Sequence, residues 1–167
     1  MIDELLDRPQ QSLQKVQYDP PGRELKGLRY TVISTRTDNF DYARAKSNAE
    51  DAMAAYPDLG CMVGLFAYNT PACLEAVKSA GKTGKIKLVS FDENDATLQG
   101  IVDGSVHGTI SQQPYLYGYH SVRILAALAR GDKKVLPPGN FLEVAIVVVR
   151  KNNIESFWTE LKKLRTR

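Results

Sequence analysis

The sequence has little cysteine and little histidine, which limits the kinds of site it can hold. Its 167 residues include two cysteines, Cys61 and Cys73, and two histidines, His107 and His120. The cysteines lack metal-ligand spacing, and we expect two buried thiols and not a disulfide. No cluster of histidine, cysteine and acids indicates a metal site, and neither histidine lies near a Ser or Cys in an elbow motif. The sequence therefore predicts no metal and no cofactor, and it gives only weak signals of an enzyme.

Long apolar runs and blocks of one charge are also missing. No apolar stretch is long enough to cross a bilayer, and the N-terminal MIDELLDR is acidic and polar, unlike a signal peptide. The net charge of +3 comes from acidic and basic residues mixed along the chain, which argues against a nucleic-acid partner. The GKTG at 81–84 lacks the Walker spacing and precedes a predicted strand, so no phosphate-binding loop is expected.

Strand-like and helix-like patterns alternate along the chain, of which 43% is hydrophobic. The predicted strands are Leu28–Thr35, Cys61–Tyr68, Lys85–Phe91, His107–Ser111 and Phe141–Val149. The predicted helices are Met1–Asp7, Asp41–Tyr56, Thr70–Ala80, Glu93–Asp103, Pro114–Ala129 and Ile154–Leu164. Residues 8–27 are predicted to be an irregular loop with a helical turn at Ser12–Val16. Short connections between alternating elements are typical of a three-layer αβα fold with a mostly parallel sheet.

Three consecutive predicted strands end in a polar side chain, and an aromatic follows the strand before them. Asn69, Asp92 and Gln112 stand at the three strand ends, and Phe40 follows the first predicted strand. In an open parallel sheet, ligands bind outside the carboxyl ends of the strands. We therefore expect these four side chains to face a ligand at one rim of the sheet.

Each of the four residues also has a simpler interpretation. Asp92 could cap the following helix, Asn69 could be a turn residue, Gln112 could be a polar linker, and Phe40 could be a hydrophobic staple. Alternatively, a carboxylate and amides suit a hydroxyl-rich ligand, and an aromatic face suits the C–H face of a sugar ring. Their joint occurrence at neighbouring strand ends favours ligand binding.

The region from Thr31 to Asn153 resembles the C-terminal lobe of periplasmic sugar-binding proteins of the ribose-binding type. Four segments carry the resemblance: DNFDYARAKSNAEDAMAAYPD (38–58), LFAYNTPACLEAVKSAGK (65–82), KLVSFDENDATLQGIVDGSVHGTISQQPYLYGYHSVRILAALARGD (87–132) and VVVRKNNIESF (147–157). The resemblance implies a flavodoxin-like α/β lobe over residues 28–167, preceded by a truncated helix and irregular loop over 1–27.

The resemblance also implies a function. In such proteins the residue matching Phe40 stacks on a sugar, and those matching Asn69, Asp92 and Gln112 bind its hydroxyls. The chain would then be a non-catalytic half of a periplasmic receptor that serves an ABC transporter, with a membrane permease as partner of the whole protein. The alternative is the sugar-effector-binding portion of a lactose-repressor-type transcriptional regulator. A small α/β enzyme is a more distant alternative.

The chain departs from this family in what it leaves out. It lacks the first of the two lobes and the ligand-binding Arg that relatives carry just before the point where it begins, and it shows no export signal. We therefore expect a fragment or an internally started product. The helix at 114–129 would have lost the lobe on which it packs in relatives, so self-association through it is expected. Sugar affinity without the other lobe should be weak.

Overall fold

A computed structural model describes residues 1–9, 11 and 18–166. Its N-terminal part holds a one-turn helix, α1 (Ile2–Leu5), and two short strands, β1 (Leu25–Lys26) and β2 (Thr31–Val32). The two strands form their own antiparallel hairpin, in which Leu25 lies opposite Val32. The helical turn predicted at Ser12–Val16 lies outside the described residues.

The main sheet has four strands that lie side by side in chain order. They are β3 (Cys61–Gly64), β4 (Lys87–Phe91), β5 (Gly108–Ser111) and β6 (Val147–Val149). The first three are parallel, and β6 is antiparallel to β5. This parallel-rich sheet confirms the predicted α/β class.

Among the described residues, five longer helices accompany this sheet. They are α2 (Tyr42–Ala55), α3 (Asn69–Ser79), α4 (Asp95–Asp103), α5 (Pro114–Ala129) and α6 (Ile154–Arg165). Apolar residues of α2, α3, α4 and α6 form a single buried core with the sheet, comprising Ala49, Met53, Leu74, Ala76, Val77, Ile86, Leu88, Leu98, Ile101, Val106, Val149 and Ile154. By contrast, α5 buries only Ala127. None of the helices within the described ranges has the length and apolarity needed to cross a bilayer.

The prediction of a first strand at Leu28–Thr35 is wrong for most of its length, because only Thr31–Val32 is a strand and it belongs to the hairpin. In the flavodoxin-like strand order, the second and third strands lie on either side of the first and do not pair with each other. Among the described residues no strand lies beyond β3. In the structure β3 and β4, which correspond to the second and third predicted strands, pair directly with each other. This pairing leaves no place between them for residues 28–35, and β3 is an edge of the described sheet.

Two other predicted strands are shorter than expected. The strand predicted at Cys61–Tyr68 ends at Gly64, and Cys61 is exposed rather than buried because β3 is an edge strand. Cys73 is half-buried, and burial raises the pKa of its thiol to about 11. The strand predicted at Phe141–Val149 pairs only over Val147–Val149, opposite Ser111–Thr109, because β5 is itself only four residues long.

Candidate functional site

The register of the sheet places the ends of three parallel strands at one rim. Gly64 of β3 lies opposite Ser90 of β4, and Phe91 of β4 lies opposite Ile110 of β5. The segments that follow these strands therefore leave the sheet on the same side. Asn69, Asp92 and Gln112 lie in those segments, as the topology argument predicts.

Asp92 and Gln112 are in direct contact. The Gln112 Nε2 donates a hydrogen bond to Asp92 Oδ1 at 3.0 Å. The Asp92 backbone is fixed on both sides, because its N–H donates to the Ile110 carbonyl at 2.9 Å and its carbonyl accepts from Thr109 Oγ1 at 2.6 Å. Asp92 has a φ of 65°, a left-handed conformation that Asp tolerates better than most residues. Its second carboxylate oxygen remains able to accept from a ligand.

The simpler interpretations of Asp92 and Gln112 fit the structure poorly. The side chain that caps α4 is that of Asn94, whose Oδ1 accepts from the Ala96 N–H at 2.9 Å. Gln113, and not Gln112, bonds to a later part of the chain, because its Nε2 donates to the Ala145 carbonyl at 2.6 Å. Both Asp92 and Gln112 thus turn toward each other and not toward the elements that follow them.

Asn69 is held at the start of α3 by both ends of its amide. Its Oδ1 accepts from the Phe66 N–H at 3.0 Å, and its Nδ2 donates to Asp38 Oδ2 at 2.6 Å. An asparagine amide has two donors and two acceptor lone pairs, so one of each remains for a ligand. Asn69 is therefore a turn residue, as the simpler interpretation has it, and its role in ligand binding stays a prediction. The site depends on Gly64, where a Cβ would lie 2.4 Å from Thr70 Oγ1 and 3.0 Å from Asn69 Cβ.

Phe40 belongs to a group of three aromatic rings. Its side chain is 80% exposed, so it does not act as a staple on α2, and its φ is 61°. The Phe40 and Phe66 ring centroids are 5.8 Å apart with the planes tilted by 57°. Phe66 in turn stacks on Tyr68 at 6.3 Å. Phe40 and Phe66 form an exposed apolar corner beside Asn69.

Asp38 connects this aromatic group to Asn69, and the sequence argument did not single it out as a site residue. It accepts hydrogen bonds from the Tyr68 hydroxyl at 2.5 Å, from Asn69 Nδ2 at 2.6 Å and from the Phe40 N–H at 3.0 Å. Burial disfavours the charged carboxylate, but these donors outweigh it and hold the pKa of Asp38 below its ordinary value. The bond to Asp38 raises the pKa of Tyr68, which keeps its proton at neutral pH. The sequence does carry the local part of this arrangement, which is an Asp two residues before an aromatic residue. In such a turn the Asp side chain accepts a hydrogen bond from the backbone N–H of the aromatic residue.

The structure thus joins the four predicted residues in two pairs. Phe40 and Asn69 are linked through Asp38 and Phe66, and Gln112 is bonded to Asp92. Phe40 lies in the turn before α2 and Asn69 follows the end of β3, whereas Gln112 and Asp92 follow the ends of β5 and β4. The first pair presents an amide next to exposed aromatic faces, and the second presents an amide and a carboxylate.

Comparison with known sequences identifies the family of the chain. A model of the periplasmic binding protein domain matches residues 11–133. The ribose import binding proteins RbsB of Salmonella typhimurium and of Escherichia coli K12 are each 24% identical to the chain over 107 residues. The matched region is 63% of this chain but 35% of each RbsB, so the chain spans only part of the length of these relatives.

Solved structures of sugar-binding proteins share the fold. An ABC transporter solute-binding protein from Agrobacterium vitis with bound D-fucose is 31% identical, with a TM-score of 0.63 over 68% of this chain and 38% of that one. The arabinose-binding protein AraP of Geobacillus stearothermophilus is 27% identical, with a TM-score of 0.61 over 70% of this chain and 42% of that one. These matches give the chain the fold of a single lobe. Because the domain model extends over most of its length, the chain belongs to the periplasmic binding protein family.

Proposed function

We propose that the chain recognises a carbohydrate as one lobe of an ABC-transporter solute-binding protein. The observation that carries the proposal is the rim where Asp92 and Gln112 lie bonded to each other, with Asn69 and Phe40 at the neighbouring strand end. RbsB is a ribose import protein, and the Agrobacterium structure holds D-fucose. Both are sugars, which supports the same ligand class for this chain.

The chemistry of the four side chains suits a neutral sugar. The free carboxylate oxygen of Asp92 can accept from a hydroxyl in a charge-assisted bond. Gln112 and Asn69 each keep a donor and an acceptor, which matches hydroxyl groups that both donate and accept. The exposed ring of Phe40 offers an apolar surface for the C–H face of the sugar. These groups hold and orient a ligand, and the proposed role includes no catalysis.

The proposal extends to the domain division and to the partners of the whole protein. Residues 28–167 would be the binding lobe, and residues 1–27 would be peripheral to it. The whole protein would work in the periplasm and deliver its sugar to a membrane permease. This chain would supply one side of the sugar site.

We expect the chain alone to bind neutral sugars weakly, with a Kd no tighter than about 1 mM. One side of the ligand stays in water, and affinity in enclosed sites depends on burying most of the ligand. Titration of ¹⁵N-labelled chain with D-ribose, L-arabinose or D-fucose should shift the side-chain amides of Asn69 and Gln112 together. Phe40→Ala should reduce the response, whereas Phe141→Ala, at another exposed phenylalanine, should not. Absence of any response to a panel of sugars, or tight binding by this chain, would contradict the expectation.

We also propose that α5 mediates self-association. One side of this helix exposes Tyr115, Tyr119, Val122 and Leu125, with Val122 68% and Leu125 64% exposed. The same side lines an open groove together with Pro114, Gly118 and Arg123. Apolar surface of this kind favours contact with a second copy.

Sedimentation should therefore show association that increases with concentration and that Val122→Glu reduces strongly. The matched change Val148→Glu, at an exposed valine of β6, should leave association close to wild type. A wild-type chain that remains monomeric at all concentrations would exclude self-association through α5.

A further inference from the structure

Asp38 receives donors from two separate segments of the chain. The Phe40 N–H comes from its own turn, whereas Tyr68 and Asn69 come from the segment after β3, about thirty residues away. Its Oδ1 takes the Tyr68 hydroxyl and the Phe40 amide, and its Oδ2 takes Asn69 Nδ2. Asp38 therefore ties the turn before α2 to the rim of the sheet.

We propose that Asp38 is a positioning residue of the sugar site, which fixes the Asn69 amide and the Phe40 ring; this rests on the proposed function. Both carboxylate oxygens are already engaged by the protein, so Asp38 acts on the ligand through its neighbours. A carboxylate is the group that this position requires, because all three partners are donors and a carboxylate only accepts.

The bond to Asp38 decides which way the Asn69 amide points. With Nδ2 directed at Asp38, Oδ1 is left to accept from the Phe66 N–H. The opposite orientation would place Oδ1 against the carboxylate and leave the Phe66 N–H without this acceptor. The remaining N–H of Asn69 is therefore presented in one defined direction.

The same carboxylate holds Phe40 in a conformation that aromatic residues rarely adopt. Phe40 has a φ of 61°, and such left-handed conformations are costly for bulky residues. The hydrogen bond from its N–H to Asp38 stabilises that backbone. The Phe40 ring then meets Phe66 at 5.8 Å, so the apolar corner is formed before a ligand arrives.

Asp38→Asn tests this role because it keeps the shape and removes the charge. The new amide has a single oxygen for partners on two sides. Turned toward Phe40 and Tyr68, it sets its NH₂ against the NH₂ of Asn69; turned toward Asn69, it loses the bonds from Phe40 and Tyr68. We expect shifted Asn69 side-chain signals, weaker NOEs between the Phe40 and Phe66 rings, and about a tenfold loss of sugar affinity. Asp58→Asn, at an exposed acid in the turn after α2, is the matched control and should change none of these.

The ligand-free signals separate this proposal from the proposed function. Wild-type Asn69 signals and ring NOEs in Asp38→Asn would overturn the positioning role, and so would an unchanged affinity in a chain that binds sugar. The wild-type chain could bind no sugar while Asp38→Asn still alters the Asn69 signals. That result would support the positioning role of Asp38 and would reject only the proposed sugar-binding function. If Asp38→Asn does not fold, hydrogen exchange of the two Asn69 Nδ2 protons is measured in the wild-type chain. The proton bonded to Asp38 should exchange more slowly than the other, and equal, fast exchange of both would overturn the proposal.

Discussion

Replacing Asp92 with asparagine is expected to weaken the binding of a neutral sugar by about a hundredfold. The carboxylate accepts from Gln112 with Oδ1 and has Oδ2 available for a hydroxyl. The substituted amide keeps one oxygen for Gln112 but offers NH₂ in place of the second acceptor. Because asparagine tolerates the left-handed backbone at this position, with its φ of 65°, the loss should reflect the ligand contact and not backbone strain.

The measurement is the same NMR titration, in which the Asp92→Asn chain should give no saturable response at sugar concentrations that shift the wild type. Asp51→Asn is a suitable control, because Asp51 is an exposed acid on α2. Circular dichroism should show both variants folded. Wild-type sugar responses in Asp92→Asn would remove Asp92 from the site and with it the main acceptor of the proposed function.

Replacing Gly64 with alanine is expected to destabilise the fold by about 2 kcal/mol or more. A Cβ at this position would lie 2.7 Å from the Thr70 backbone nitrogen, in addition to its close approach to Thr70 Oγ1. Thr70 is buried at the start of α3, so the backbone of β3 or of the helix must move. Asn69, the residue before Thr70, would move with it.

Thermal unfolding should show a decrease in Tm of about 4–8 °C, and the Asn69 side-chain signals should shift. Gly60→Ala is the matched control, since a Cβ there has no neighbouring atom within 4 Å and Gly60 lies just before the same strand. An equal Tm for the two variants would show that the close approach of β3 to α3 does not limit the size of the side chain at position 64. Sugar affinity should decrease only in Gly64→Ala, because Asn69 depends on this approach.

The parts of the site that the sequence predicted are those that follow from topology. Asp92 and Gln112 could be placed together because the ends of neighbouring parallel strands share one rim, whatever the details of packing. The strand prediction at Leu28–Thr35 was wrong because it depended on local propensity and not on topology. Its β-branched and aromatic residues favour an extended chain, but whether an extended segment joins a sheet depends on a neighbouring strand, which local propensity does not report.

Sequence reasoning missed the contacts of Asp38 for a related reason. Its short-range bond to the Phe40 amide is visible as a turn pattern, but that pattern is common and suggests only a helix start. The bonds that give it a role come from Tyr68 and Asn69, which are distant in sequence. Only three-dimensional contacts could distinguish Asp38 from Asp41, whose side chain does cap α2 through the Arg44 N–H.

Within the part of the chain that the structure describes, β3 has no partner strand on its outer side, and this has a consequence for the chain in concentrated solution. An open strand edge is a template on which extended segments of other molecules can add, and proteins usually protect such edges. Here the edge strand begins at an exposed cysteine, Cys61. Two copies that pair at the start of this edge would bring their Cys61 thiols near each other. A two-electron oxidant such as dissolved oxygen would then join the thiols in a disulfide, and a reducing agent would keep the contact reversible.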